Sequence, residues 1–208
     1  MPDITTCPEI TRLYVNQAAT GEDTGCTWPN AATSLQTALQ NIGTDEYPSV
    51  KEVWIAKGTY YPSTDGSRNA SFQLLNGVSI YGGFAGYETE QNQRNSATHP
   101  TNLSGDIGIE NDNSDNSYHV VSGSHTDATA LLNGVIIERG NANQGDTCPE
   151  ACGGGVYNEN GSPTLKHLFI RYNSAIYGGG LYNANNSQPF VKESMIDNSS
   201  RRRGNVKW

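Results

Sequence analysis

The sequence predicts an all-β fold, a right-handed parallel β-helix (a single-stranded solenoid) with a short N-terminal capping helix. Three observations carry that expectation: an internal repeat of 25 residues, a composition suited to tight turns, and one amphipathic helical run ahead of the first repeat.

The repeat is clearest near the C-terminus, where Gly153-Gly154-Gly155-Val156-Tyr157-Asn158 returns as Gly178-Gly179-Gly180-Leu181-Tyr182-Asn183. The offset of 25 continues through Asn160 and Asn185, Ser162 and Ser187, Leu165 and Phe190, Ile170 and Met195, Asn173 and Asn198, and Ser174 and Ser199. Earlier, the run Leu74 to Ile80 recurs at Leu131 to Ile137, with Gly83 and Gly140 following in step. Ile137 and Ile170 are 33 residues apart, one period plus an insertion of about eight that carries Cys148 and Cys152. Within each repeat the apolar positions, such as Val156, Leu165, Phe169 and Leu181, are isolated or alternate between Gly, Asn, Pro and Ser, which spells short strands rather than the leucine frame of a leucine-rich repeat.

The composition fits. Hydrophobic residues make up 35% and charged residues only 16%, while Gly numbers 23, so polarity comes from Asn, Ser, Thr and Gly, residues that tolerate the left-handed backbone of turns. A chain of 208 residues suits one domain, placed at 1–200, with a cap region at 1–50, a polar excursion at 87–117, regular coils at 118–200 and a basic tail at 201–208. In the cap region Arg12 to Asn16 is strand-like. Leu35, Ala38, Leu39 and Ile42 then fall at i, i+3, i+4 and i+7, a helix capped by Thr33 or Ser34 that shields the first coil from water. Glu52 to Tyr60 begins the stack.

The net charge is -8 although Arg201, Arg202, Arg203 and Lys207 crowd the tail, so the body is strongly acidic and a nucleic-acid partner is not expected. The tail itself reads as a linker or a truncated repeat. No stretch is apolar enough to span a membrane, and Met1 to Ile10 is too polar for a signal peptide. The four cysteines fall into local pairs, Cys7 with Cys26 and Cys148 with Cys152. Their even number and lack of zinc spacing favour disulfides and an oxidising compartment over reduced thiols.

Val53-Trp54-Ile55-Ala56-Lys57-Gly58-Thr59-Tyr60 after a helix, Leu103-Ser104-Gly105-Asp106-Ile107, Ser117 to Val121 and the two GGG[VL]YN boxes resemble bacterial surface proteins of the pectin-lyase-like superfamily. The Gly boxes alternating with Ile170-Arg171-Tyr172-Asn173 and Met195-Ile196-Asp197-Asn198 are also similar to the repeats of chlamydial polymorphic outer-membrane proteins. The resemblance implies a fold shared by lyases, hydrolases, adhesins and passive passenger domains, so it does not choose an activity.

A lyase of that superfamily implies stacked carboxylates for calcium and an Arg or Lys base. At the 25-residue offset Glu159 meets Ala184, Glu193 meets Leu168, and Asp197 meets Tyr172, so no acid stack forms. The remaining oxygen-rich stretch holds Asp106, Glu110, Asp112 and Asp115 with Asn111 and Asn113, a loop for calcium or a solvated turn without an EF-hand frame. His99, His119, His125 and His167 assemble with no nucleophile or acid, and the Gly runs lack the Lys and Ser or Thr of a phosphate loop. Asn158 with Asn183, and Asn173 with Asn198, are placed to form amide ladders. Tyr157 and Tyr182 stack either as packing or as an aromatic platform for sugars.

The expectation is thus a noncatalytic extracellular or cell-surface module for adhesion or structural assembly, with no catalytic residues and no obligatory cofactor. Its partners would be carbohydrate, other surface proteins, or further copies meeting end to end at an open last coil. The alternatives are a polysaccharide lyase or glycosidase, pairing Asp106 or Asp112 with Arg139 or Arg171, and a glycan-binding module that displays Tyr157 and Tyr182.

Overall fold

The computed structural model describes residues 10–200. The chain opens with β1 (Arg12–Val15), α1 (Leu35–Asn41), β2 (Glu52–Ala56), β3 (Gly58–Tyr60), β4 (Phe72–Gln73) and β5 (Ser79–Phe84). A 3-10 turn at Gln91–Gln93 precedes β6 (Thr101–Ser104), β7 (Val121–Ser122), β8 (Leu131–Asn133), β9 (Ile136–Glu138) and β10 (Asn141–Ala142). The last elements are β11 (Val156–Glu159), β12 (Thr164–Lys166), β13 (Phe169–Ala175), β14 (Leu181–Ala184), β15 (Phe190–Lys192) and β16 (Met195–Ser200).

These strands form three parallel sheets. The first runs β1-β2-β5-β8-β12-β15, the second β3-β6-β9-β13 with both β10 and β16 on β13, and the third β4-β7-β11-β14. This corrects the expected all-β, single-stranded β-helix solenoid: the strands are shared among three sheets, and helical elements belong to the same body in an α/β-like arrangement. No uniform period runs through the ladders. Along the first sheet the partners Arg12, Glu52, Ser79, Leu131, Thr164 and Phe190 are separated by 40, 27, 52, 33 and 26 residues. The period read from the Gly boxes is a local property, since a sheet needs only matching edges and accepts connections of any length.

Two other readings change with the register. The similar runs at 74–80 and 131–137 are not structural equivalents, because Ile80 pairs with Leu132 while Ile137 pairs with Leu103 in a different sheet. The polar excursion at 87–117 is not one loop. It is divided by β6, an inner strand of the second sheet whose Leu103 is buried between Tyr60 and Ile137.

Sheet interiors supply the core: Leu13, Val15, Val53, Ile55, Ile80, Leu132, Leu165 and Ile170 all belong to one buried cluster. The helix closes its end. Leu35, Ala38 and Leu39 enter the same cluster, and Ser34 is the N-cap, its hydroxyl accepting from the Thr37 amide at 3.2 Å. At β2 and its neighbours the first sheet is buried on its second face as well, which is why β2 reads as the nearly unbroken apolar run Val-Trp-Ile-Ala. There Trp54 stacks on Phe84 at 4.5 Å, and Trp28 lies 4.8 Å from Tyr14 and 5.6 Å from Phe84. Burying rings of this kind stabilises by about 1.5–3 kcal/mol each.

Candidate functional site

The second sheet places a polar cleft beside the end of β3. Strand alternation sends Tyr60 into the core, where its hydroxyl donates to the Ala56 carbonyl at 3.0 Å, and turns Tyr61 outward with 45% of its surface exposed. Buried Pro62 fixes the next dihedral, and Ser63 braces the turn by donating to Asp65 at 2.6 Å and accepting from the Ser67 amide at 3.0 Å. Tyr61, Ser63 and Thr64 line two lobes. One, of about 390 Å³, lies against α1 at Ser34, Thr37 and Gln40; the other, of about 520 Å³, lies against the sheet at Ser104, Asp106, Glu110, Glu138 and Arg139.

Most charges of the sheet-side lobe are tied in pairs. Arg139 donates to Asp106 at 3.1 Å and to the Asn111 side chain at 2.7 Å, while the Asn111 amide donates to Asp106 at 3.1 Å. Arg171 donates to Glu138 at 2.9 Å. These pairs sit where they do because β9 and β13 align Glu138 with Arg171, and Arg139 occupies the positive-φ turn just after β9. The Tyr61 hydroxyl is pushed above its ordinary pKa by burial first, then by Asp106 and Glu110, with Arg139 opposing.

The other predicted residues are dispersed. Asp112 and Asp115 close their own turn, accepting from the Ser114 amide at 2.8 Å and the Ile109 amide at 2.7 Å. Hydrogen bonds from Ser114 hold the Asp112 carboxyl below its usual range. Asp106 spends its oxygens on Arg139 and Asn111, and among the described residues no three His, Cys, Asp or Glu side chains converge as for a metal ion. Asp106 and Arg139 do meet as the lyase alternative required, whereas Arg171 is held by Glu138.

The tyrosine ladder exists but does not form an open platform. His119 stacks on Tyr157 at 4.9 Å and Tyr157 on Tyr182 at 6.2 Å, yet Tyr157 is only 5% exposed because Cys148, Ala151 and Cys152 pack over it. Cys148 and Cys152 form a disulfide; no described cysteine is a free thiol, and Cys7 lies outside the described residues. Burial holds His119 below its usual pKa, and its Nδ1 meets the Gly153 carbonyl at 3.0 Å. Asn158 donates to Asn183 at 2.8 Å, as the amide ladder required, and its oxygen would lie 2.1 Å from any Cβ at Gly123, so a side chain there would displace Asn158. Asn173 is buried and ties Gly140, Ile137 and Arg171 together, whereas the side chain of Asn198 lies outside the described residues.

The 25-residue offset also fails locally. Tyr157 faces Tyr182, but Leu165 faces Val191 and Ile170 faces Ile196, one residue later than expected. Asn185 and Asn186, both at positive φ, occupy the turn where the first copy has the single positive-φ residue Asn160. The register returns at the irregularity between Arg171 and Ser174. Glu193 therefore meets His167 at 3.0 Å instead of Leu168, and Asp197 aligns with Arg171 instead of Tyr172.

No described helix is long and apolar enough to cross a membrane. No protein-family model matches the chain, and no curated protein or solved structure matches it. Sequence reasoning missed Tyr61 and Glu138. The signal for Tyr61 was present in the period-two alternation of Gly58 to Tyr61, which puts adjacent tyrosines on opposite faces; Glu138 required the pairing of β9 with β13.

Proposed function

We propose that this chain is a noncatalytic extracellular or cell-surface module for adhesion, and that it engages its ligand through the cleft around Tyr61. One observation carries the reading: beside its exposed aromatic ring the cleft holds two acids fixed by arginines, Asp106 by Arg139 and Glu138 by Arg171. Both carboxylates already accept hydrogen bonds from a guanidinium, which holds their oxygens in fixed positions. Such pairs serve recognition, as rigid arrays of donors and acceptors. The Cys148–Cys152 disulfide supports an oxidising compartment.

The test is incubation with a panel of acidic and neutral polysaccharides, with calcium and with chelator. Binding is read by affinity electrophoresis and products by mass spectrometry. Retardation by at least one polysaccharide without new oligosaccharides is the expected result. New oligosaccharides that disappear in Asp106→Asn or Arg139→Gln would replace this reading with the lyase or glycosidase one.

A further inference from the structure

We infer that the cleft around Tyr61 takes an uncharged, polyhydroxylated chain, a neutral oligosaccharide laid across the tyrosine ring, and that it turns polyuronates away. The inference rests on the adhesion reading above and names its ligand class.

The shape comes first. The two lobes, about 390 and 520 Å³, share Tyr61, Ser63 and Thr64, so the tyrosine stands between two adjoining depressions instead of at the bottom of one. Each is of the size that small-ligand sites occupy, about 300–1,000 Å³. A ligand filling both must pass over the exposed Tyr61 ring, whose apolar face suits the C–H face of a sugar and whose hydroxyl has no hydrogen-bond partner among the described residues.

The lining chemistry then selects the ligand. On the helix side Ser34, Gln36, Thr37, Gln40 and Ser67 offer hydroxyls and amides, which both donate and accept, and Asp65 is the one charged residue. This is the complement of hydroxyl groups, each of which also donates and accepts. On the sheet side Asp106 and Glu138 are balanced by Arg139 and Arg171, Glu110 remains in excess, and the whole chain carries -8, so an incoming carboxylate meets a field of its own sign. A cationic ligand is not the better fit. Asp106 and Glu138 are already committed to arginines, which leaves Glu110 as the lobe's carboxylate without a cation among the described residues. The paired carboxylates keep lone pairs for hydroxyl donors: only one oxygen of Glu138 receives Arg171, and the other has no hydrogen bond from the described residues.

The experiment is calorimetric titration of the intact chain, at low and high salt, with neutral β-glucan, xylan and mannan oligosaccharides, oligogalacturonate and oligomeric glucosamine. The expected result is binding of a neutral oligosaccharide that salt leaves unchanged. Tyr61→Ala weakens it about tenfold, equivalent to about 1.4 kcal/mol, and Tyr61→Phe retains it because the ring face remains. Thermal melts of both variants confirm the fold at this exposed position. Preference for oligogalacturonate or glucosamine, no binding of any neutral oligosaccharide, or neutral binding indifferent to Tyr61→Ala would each overturn the inference. Retained adhesion to a polysaccharide in Tyr61→Ala removes the cleft assignment while the adhesion reading stands; cleavage products remove the adhesion reading itself.

Discussion

The two ends of the sheets are built differently. At the first end β1 is covered along its outer edge by the chain that follows it: the Tyr14 amide donates to the Gly25 carbonyl and the Asn16 amide to the Ala32 carbonyl, both at 2.9 Å. The helix α1 fills the interior there, and Trp28, Trp54 and Phe84 bury the outer face. At the far end β14, β15 and β16 have no further strand beside them among the described residues. Leu181, Val191 and Ile196 are only partly buried, while Phe190 and Met195 are 55% and 62% exposed. The same sequence chemistry thus makes a covered edge at β1, where a loop and helix fold back, and edges at β14, β15 and β16 that no strand covers among the described residues.

The largest expected effect tests this contrast directly. Trp54→Ala removes a ring that is fully buried, stacked on Phe84 and capped by the Arg12 guanidinium at 3.8 Å, and should cost about 3–5 kcal/mol in urea unfolding. Phe190→Ala, on the open edge, should change stability by about 0.5 kcal/mol or less. Equal losses at the two sites would mean that the far end is as well packed as the first, and the contrast would collapse.

Legibility in the sequence follows the same division. The helix was readable because Leu35, Ala38 and Leu39 recur at helical spacing behind a Ser cap, and the structure places all three in the core. Tyr157 with Tyr182 and Asn158 with Asn183 were readable because the Gly boxes keep one register over that short span. Beyond it the offset slips by a residue at Asn185 and Asn186, and in a strand a slip of one exchanges the two faces. Nothing local announces that slip. The cleft was hidden for a related reason: Tyr61, Asp106 and Arg139 come from three separate stretches, and only the pairing of β3, β6 and β9 brings those stretches together.

A smaller effect concerns the loop that seals the first end. The Glu88 carboxylate accepts from the amides of Ala85, Gly86 and Tyr87 at 2.6, 3.0 and 3.1 Å, and its carbonyl accepts from the Trp28 indole at 2.8 Å. Burial alone would raise its pKa, but the converging amides outweigh it and hold the carboxyl below the usual range. A carboxyl lowered by folding contributes stability above its unfolded pKa, about 4.3, and loses it as pH falls through the folded value. Glu88→Gln should therefore cost about 1–3 kcal/mol at neutral pH, and the difference from the parent should shrink as the pH drops below that range. A difference that stays constant from neutral pH to pH about 3 would rule out the charged carboxylate as its source.

The smallest effect reads the register at the open end. If β12 and β15 are offset as described, His167 lies beside Glu193, with 3.0 Å between Nε2 and the carboxylate, and both side chains are about half exposed. His167→Glu then sets two acids against each other and should destabilise by about 0.2–1 kcal/mol. The cost should fade in high salt, because screening at such exposed positions is strong. Adding Glu193→Gln should restore the loss in a double-mutant cycle, since it removes the repelling partner and leaves the backbone pairing untouched. In the unslipped register Glu193 would face Leu168, a buried residue, and His167 would have no acid beside it. His167→Glu would then be indifferent to Glu193→Gln. Failure of the rescue thus argues for the 25-residue offset at this edge, and rescue argues that the extra asparagine turn sets which charges meet.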